Sequence, residues 1–206
     1  MKMTYAPAAA LTLAAAIAAG SAVAQSALTH DPAQVPPGVY KVEPNHTRVL
    51  FSVVHFGFTD YFGQFNGVSG QLDLNPAAPA ASSVSVSIPT ASITTSNTVL
   101  DGELRSGQWL DAAQFPAITF KTNQVRMTGK DTAELLGDLT LHGVTRPIAL
   151  QAKFNAGGPN PFNKRYTVGF NATGHIKRSV FGVAAYVPMV GDEVSVTISA
   201  AFEKVG

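Results

Sequence analysis

Residues 82–89 read SSVSVSIP, serine alternating with a large apolar side chain. That is the two-residue period of a β-strand with one wet face and one dry face. Val84, Val86 and Ile88 point one way; Ser83, Ser85 and Ser87 point the other. The dry face has to meet something apolar, and the nature of that partner decides both fold and function.

The same pattern recurs on both sides of this stretch. Residues 47–56 put Phe51, Val53 and His55 on one face, and 67–74 put Val68, Gly70, Leu72 and Leu74 together. Further on, 117–125 pair Ile118 with Phe120, and 133–141 line up Leu135, Gly137, Leu139 and Leu141. Residues 147–154 align Ile148, Leu150, Ala152 and Phe154. Residues 166–176 align Val168, Phe170, Ala172, Gly174 and Ile176, and 193–202 align Val194, Val196, Ile198, Ala200 and Phe202. Eight strands are therefore expected. The segments between them (NPAAPA, TGKD, HGVT, GGPNPFN, VGD) are turn-formers. Consecutive strands joined by short turns make an antiparallel meander, which closes into an up-and-down barrel or folds into a sandwich.

Residues 95–116 interrupt the meander, and long connections often carry function. Asn97 is placed to cap a short helix through Leu104, and Asp101 and Arg105 stand four apart as a surface pair. Trp109, Leu110 and Phe115 give the segment an apolar side. It reads as either a mobile lid or a fixed plug.

The chain start has a different character. Lys2, an alanine-rich apolar run and the A-x-A site at Ala22–Ala24 describe a secretory signal, 1–24, cleaved after Ala24. The run is too short for a spanning helix, so stable membrane insertion is not expected. Residues 25–38, with Pro32, Pro36, Pro37 and Gly38, read as a flexible lead-in to a single domain, 39–206. The expected location is the periplasm. With no cysteine in the chain, disulfides, thiolate metal sites and thiol nucleophiles are excluded.

The full chain has 14 Lys and Arg against 13 Asp and Glu, and only 13% of its residues are charged. That balance gives nucleic-acid binding no electrostatic support. No nucleophile elbow, phosphate loop, dinucleotide fingerprint or zinc-protease motif is present. The five histidines (His30, His46, His55, His142, His175) are not spaced as metal ligands on one strand face. No metal, cofactor or catalytic residue is assigned. His55 continues the dry face of Phe51 and Val53, so it suits either the head of an amphipathic ligand or a bond to a loop carbonyl.

Several stretches carry a family pattern in combination and order. They are NHTRVLFSVVHFGF (45–58), GQFNGVSGQLDL (63–74), SSVSVSIPTASITT (82–95), LDGELRSGQWLDAAQFPAITF (100–120), GDLTLHGVTRPIAL (137–150) and GFNATGHIKRSVFGV (169–183). The chain resembles the YceI-like, polyisoprenoid-binding family from about Val39 to Glu203. The resemblance implies a lipocalin-like eight-stranded barrel that carries an isoprenoid or other amphipathic chain in a tunnel. Two departures bear on the ligand head. Leu100–Asp101 and Glu103 stand where the family usually has Arg-Asp and a His, and Trp109–Leu110 stand where two aromatics are common.

On this basis the expected fold is all-β, with a short helix in one long loop. The candidate ligand contacts are Phe51, Val53 and His55; Leu72; Val86 and Ile88; Leu104 and Trp109; Phe120; Leu139 and Leu141; and Phe170, Ala172 and Ile176. The inward phenylalanines can fill an eight-stranded barrel, while Gly70, Gly137, Gly174 and the inward alanines leave space. The expected partner is an isoprenoid or fatty amphipathic lipid, and a homodimer is compatible with this reading. Two other functions compete with it. One is an enzyme acting on such a lipid, with His55 or His175 as acid/base. The other is a filled barrel that binds a membrane redox protein through its loops.

Overall fold

A computed structural model describes residues 28–206; the expected signal segment and its cleavage point lie outside the described residues. The strands are β1 (Gly38–Val42), β2 (Arg48–His55), β3 (Thr59–Phe65), β4 (Ser69–Leu74) and β5 (Ser83–Pro89), followed by the helix α1 (Thr98–Arg105). Then come β6 (Ala117–Met127), β7 (Thr132–Leu141), β8 (Val144–Pro159), β9 (Tyr166–Lys177) and β10 (Val190–Lys204). Every pairing between them is antiparallel.

Ten segments make eight staves. The long strand β10 pairs with β2 through Val190–Ser199 and with β1 through Phe202–Lys204. β1 and β2 are thus two lengths of one stave. β3 pairs with β2 and β4 with β1, so they form the second broken stave. β4 pairs with β5, and the meander runs on to β10, whose bond to β1 closes the ring. Thr47 stitches the first break: it is 2% exposed, and its hydroxyl exchanges bonds with the Ala201 backbone. The eight-stranded up-and-down barrel is as expected. β1 and β3 lie outside the eight expected segments because their apolar residues fall on both faces, Val39 opposite Tyr40 and Val42 in β1 and Phe62 opposite Tyr61 and Phe65 in β3.

Because the staves alternate in direction, the turns 75–82, 128–131 and 160–165 share one end with the start of β1. The hairpin 56–58, the connection 90–116, the turn 142–143 and residues 178–189 share the other.

The expected flexible lead-in requires a correction over its described part. Thr29 exchanges two backbone bonds with Gly157, and Asp31 caps a 3-10 turn at Pro32–Gln34. Val35 is 3% exposed and packs with Tyr40, Phe154 and Val168. The Tyr40 hydroxyl donates to the Pro36 carbonyl at 2.6 Å. One buried valine and a buried tyrosine hydroxyl fasten what the prolines had marked as loose.

Candidate functional site

A cavity of about 550 Å³ lies inside the barrel. Its walls are the dry faces of the staves. Phe51 and Val53 line it from β2, Leu72 from β4, and Val86 and Ile88 from β5. Phe120 contributes from β6, Leu139 and Leu141 from β7, and Phe170, Ala172 and Ile176 from β9. Leu104 of α1 and Trp109 close over them. Of the candidate contacts only His55 falls outside. It is the last residue of β2, and its ring lies 4.3 Å from that of Phe56 and 5.8 Å from that of Tyr61, so the cavity wall on this strand stops at Val53.

The sequence reading missed other wall residues, for identifiable reasons. A bulge between Thr122 and Gln124 shifts the register of β6, so Val125 and Met127 continue the inward face that Ile118 and Phe120 begin. Strict alternation from Phe120 would have chosen Thr122 and Gln124. Val190, at the start of β10, also lines the wall; it stands ahead of the alternating run 193–202 and across a register shift from it. Val35, Val183 and Arg178 come from irregular segments with no period to follow.

The glycines do not leave empty space. A methyl group on Gly137 would lie 2.7 Å from the Phe120 ring and 2.4 Å from the Lys121 carbonyl oxygen. On Gly63 it would lie 2.3 Å from Phe51. On Gly174 it would meet Leu150, and on Gly70 the backbone of β5. Each glycine is therefore occupied by a neighbour. At Gly63 the ring of Phe51, and at Gly137 the ring of Phe120, takes up the place a side chain would need.

The two ends of the cavity differ. At the end carrying the start of β1, the walls finish in half-buried or exposed residues: Asp31, Ala33, Asn75, Ser83 and Lys130. Lys130 and Asp31 face one another across this rim at 3.4 Å. At the other end the walls finish in buried ones. Ile93 is 2% exposed, Val183 3%, Arg178 5%, and Trp109 and Leu110 8% each. The tunnel thus has a polar mouth and a blind, mostly apolar floor.

The floor is built by the long connection, which is a packed plug in this structure. Asn97 caps α1, accepting from the N–H groups of Val99 and Leu100. Asp101 and Arg105 do not form the expected surface pair; both turn toward the barrel. Asp101 is 5% exposed and accepts from the Thr95 N–H at 2.6 Å, the Thr95 hydroxyl at 2.7 Å and the Thr94 hydroxyl at 3.1 Å. Arg105 donates to the carbonyls of Ala91 and Ile93. Trp109 Nε1 donates to Glu103 at 3.1 Å.

Arg178 holds the other half of the floor. Its guanidinium donates to the carbonyls of Gly191, Val183 and Val190 at 2.8–2.9 Å and lies 5.3 Å from the Trp109 ring centroid. Burial lowers its pKa from the ordinary value, and the charge of Asp192 opposes that shift. It stays a cation, with carbonyl oxygens and an aromatic face in place of water.

The remaining histidines do not gather at the cavity. His175 is exposed on the outer face, beside Ser195 at 3.3 Å. Neither His175 nor His55 lines the cavity, so neither can touch a lipid held there as acid or base. Among the described residues, no group of three or more His, Cys, Asp or Glu is placed to hold a metal ion, and no helix is long and apolar enough to cross a membrane.

The YceI-like domain model matches residues 40–202. Protein YceI of Escherichia coli O6:H1 is 36% identical over 162 residues, 78% of this chain and 84% of that protein. The crystal structure of Burkholderia cenocepacia BcnA superposes with a TM-score of 0.70 at 22% identity, covering 78% of this chain and 98% of BcnA. A polyisoprenoid-binding domain from Saccharophagus degradans, implicated in plant cell wall breakdown, gives a TM-score of 0.62 at 16% identity. The match covers 82% of this chain and 100% of that domain. At these identities the two structures establish a common fold.

Proposed function

Because this chain belongs to the YceI-like family, we propose that it is a periplasmic binding protein that carries or sequesters one isoprenoid or other long-chain amphipathic lipid inside its barrel. The observation that carries this reading is the blind apolar tunnel with a polar mouth. Its walls match the apolar chain of such a lipid, and its rim suits a polar head left at the surface. The polyisoprenoid-binding domain among the structural neighbours supports the choice of lipid class, and the signal-like start of the chain supports the location.

Binding by burial is energetically sufficient. Each buried methylene contributes ~0.8 kcal/mol, so one five-carbon isoprene unit gives roughly 3–4 kcal/mol gross. Two or three units offset much of the ~4–15 kcal/mol cost of association. Such walls read the length of a chain well, because each buried carbon adds to the affinity, and its chemistry poorly, because they offer few polar groups to tell one apolar chain from another. The role is binding, with no bond made or broken by the protein.

Mass spectrometry of organic extracts from natively purified protein tests this reading. A long-chain lipid at one per chain is expected. Protein that is repeatedly empty, and that takes up no added prenyl alcohol, would remove the carrier role and favour a barrel that works through its outer surface.

A further inference from the structure

We propose that the tunnel accepts a single chain tail-first and measures it: about three to four isoprene units fit between the mouth and the Trp109 floor, and longer chains must leave their excess outside. The inference rests on the lipid-binding reading above and adds a length limit to it.

Volume shows that a chain of this size fits, and length sets the limit. A water-sized group occupies ~30 Å³ and a methylene needs about the same, so a cavity with 550 Å³ open to the centres of such groups holds at least about 18 of them. That is the carbon count of three to four isoprene units. On β6 the cavity wall runs from Ile118 to Met127, and on β7 from Leu141 to Ala133. At ~3.3 Å per residue and a tilt of ~40°, these runs span roughly 20–23 Å along the barrel axis. An extended carbon chain advances ~1.25 Å per bond, from a 1.52 Å bond and a tetrahedral angle. The tunnel therefore takes about 16–18 bonds, or about four units at four backbone carbons each.

The floor can enforce the limit because it is tied down from three directions. Trp109 is bonded to Glu103 of α1, lies over Arg178, and is followed by the buried Leu110. Arg178 in turn grips three backbone carbonyls around the start of β10 and the segment before it. A chain that reached this point would have to break that set of bonds to go further. The orientation follows from the ends. The rim offers Asp31, Lys130 and Ser83 to a hydrated head, whereas a head driven to the floor would lose its water against Trp109 and Leu110.

A ladder of prenyl alcohols with two to nine units tests the limit, each delivered to delipidated protein from cyclodextrin. Uptake of each is divided by its own partition into phosphatidylcholine vesicles, so that the reference is a phase with no length limit. The ratio should stay level up to geranylgeraniol, with four units, and then fall by roughly several hundredfold for the first unit that must stay in water. Trp109, the sole tryptophan, supplies a second readout: saturating geranylgeraniol should shift its emission. A ratio that stays level through five and nine units, or an unchanged Trp109 spectrum with geranylgeraniol bound, overturns the length limit and leaves lipid binding standing. No uptake of any alcohol overturns both.

Discussion

Gly63 and Phe51 are cross-strand partners on β3 and β2, and the Phe51 ring occupies the place where a side chain at 63 would stand. An added methyl would sit 2.3 Å from Phe51 Cζ, the far end of a side chain that can turn, and 3.1 Å from the Thr94 carbonyl oxygen, which yields less. Gly63→Ala should therefore swing the ring into the tunnel. The expected result is a folded barrel whose uptake of a prenyl alcohol falls about tenfold, roughly the worth of displacing one or two methylenes' contacts. Unchanged uptake with an intact fold would show that the ring does not guard the tunnel. This level of detail was not legible in the sequence. Glycine on an inward face reads as empty space, and only the partner strand shows that it is filled. The β6 bulge is equally invisible, because one extra residue reverses which of Gln124 and Val125 faces in. Long alternating runs such as 82–89 and 133–141 were legible because burial of one face imposes the period directly.

At the scale of an element, the plug is where sequence and structure differ most. Residues 95–116 carry an apolar side that suits a lid and a plug equally, and the deciding contacts are polar ones. Asp101, four residues before Arg105, has the spacing of a surface ion pair, yet it reaches back to Thr94 and Thr95. The hydroxyl of Thr95 is the chief cause holding its carboxyl pKa below the ordinary value. The Thr95 N–H, the Thr94 hydroxyl and the charge of Arg105 add to the effect, and partial desolvation opposes it. A carboxyl whose folded pKa is depressed stabilises the fold fully above its unfolded value of about 4 and loses that contribution as pH falls through the folded value. The plug should loosen in acid, below about pH 4, before the barrel does. Trp109 emission and hydrogen exchange over 94–105 report it. Asp101→Asn should show the loosened state already at neutral pH, with a flatter acid profile. A variant with the parent's exchange rates and the same acid profile would mean that Asp101 does not fasten the plug.

At the scale of the whole molecule, the barrel has to be stable around a cavity, without a disulfide. Two groups of buried residues share that load. One lies around Ile93, Trp109, Phe181 and Val183 at the blind end, and the other around Val35, Tyr40, Val168 and Phe202 toward the mouth. Ala172 stands on the wall of β9, opposite Ala152 on one side and Ile198 on the other. It is 9% exposed, and its methyl faces the cavity. The most direct measurement is lipid uptake by Ala172→Trp beside its thermal melting without lipid, with the outward Ser85→Ala as control. An indole forced into a filled core typically costs ~1–3 kcal/mol and lowers the melting temperature or prevents folding; in an open tunnel it occupies the place of the lipid chain. The expected outcome is near-parental melting of the empty Ala172→Trp protein with uptake of geranylgeraniol lost, and normal uptake by Ser85→Ala. Uptake by Ala172→Trp equal to the parent's, or its failure to fold in the absence of lipid, would contradict a chain-binding tunnel through this barrel.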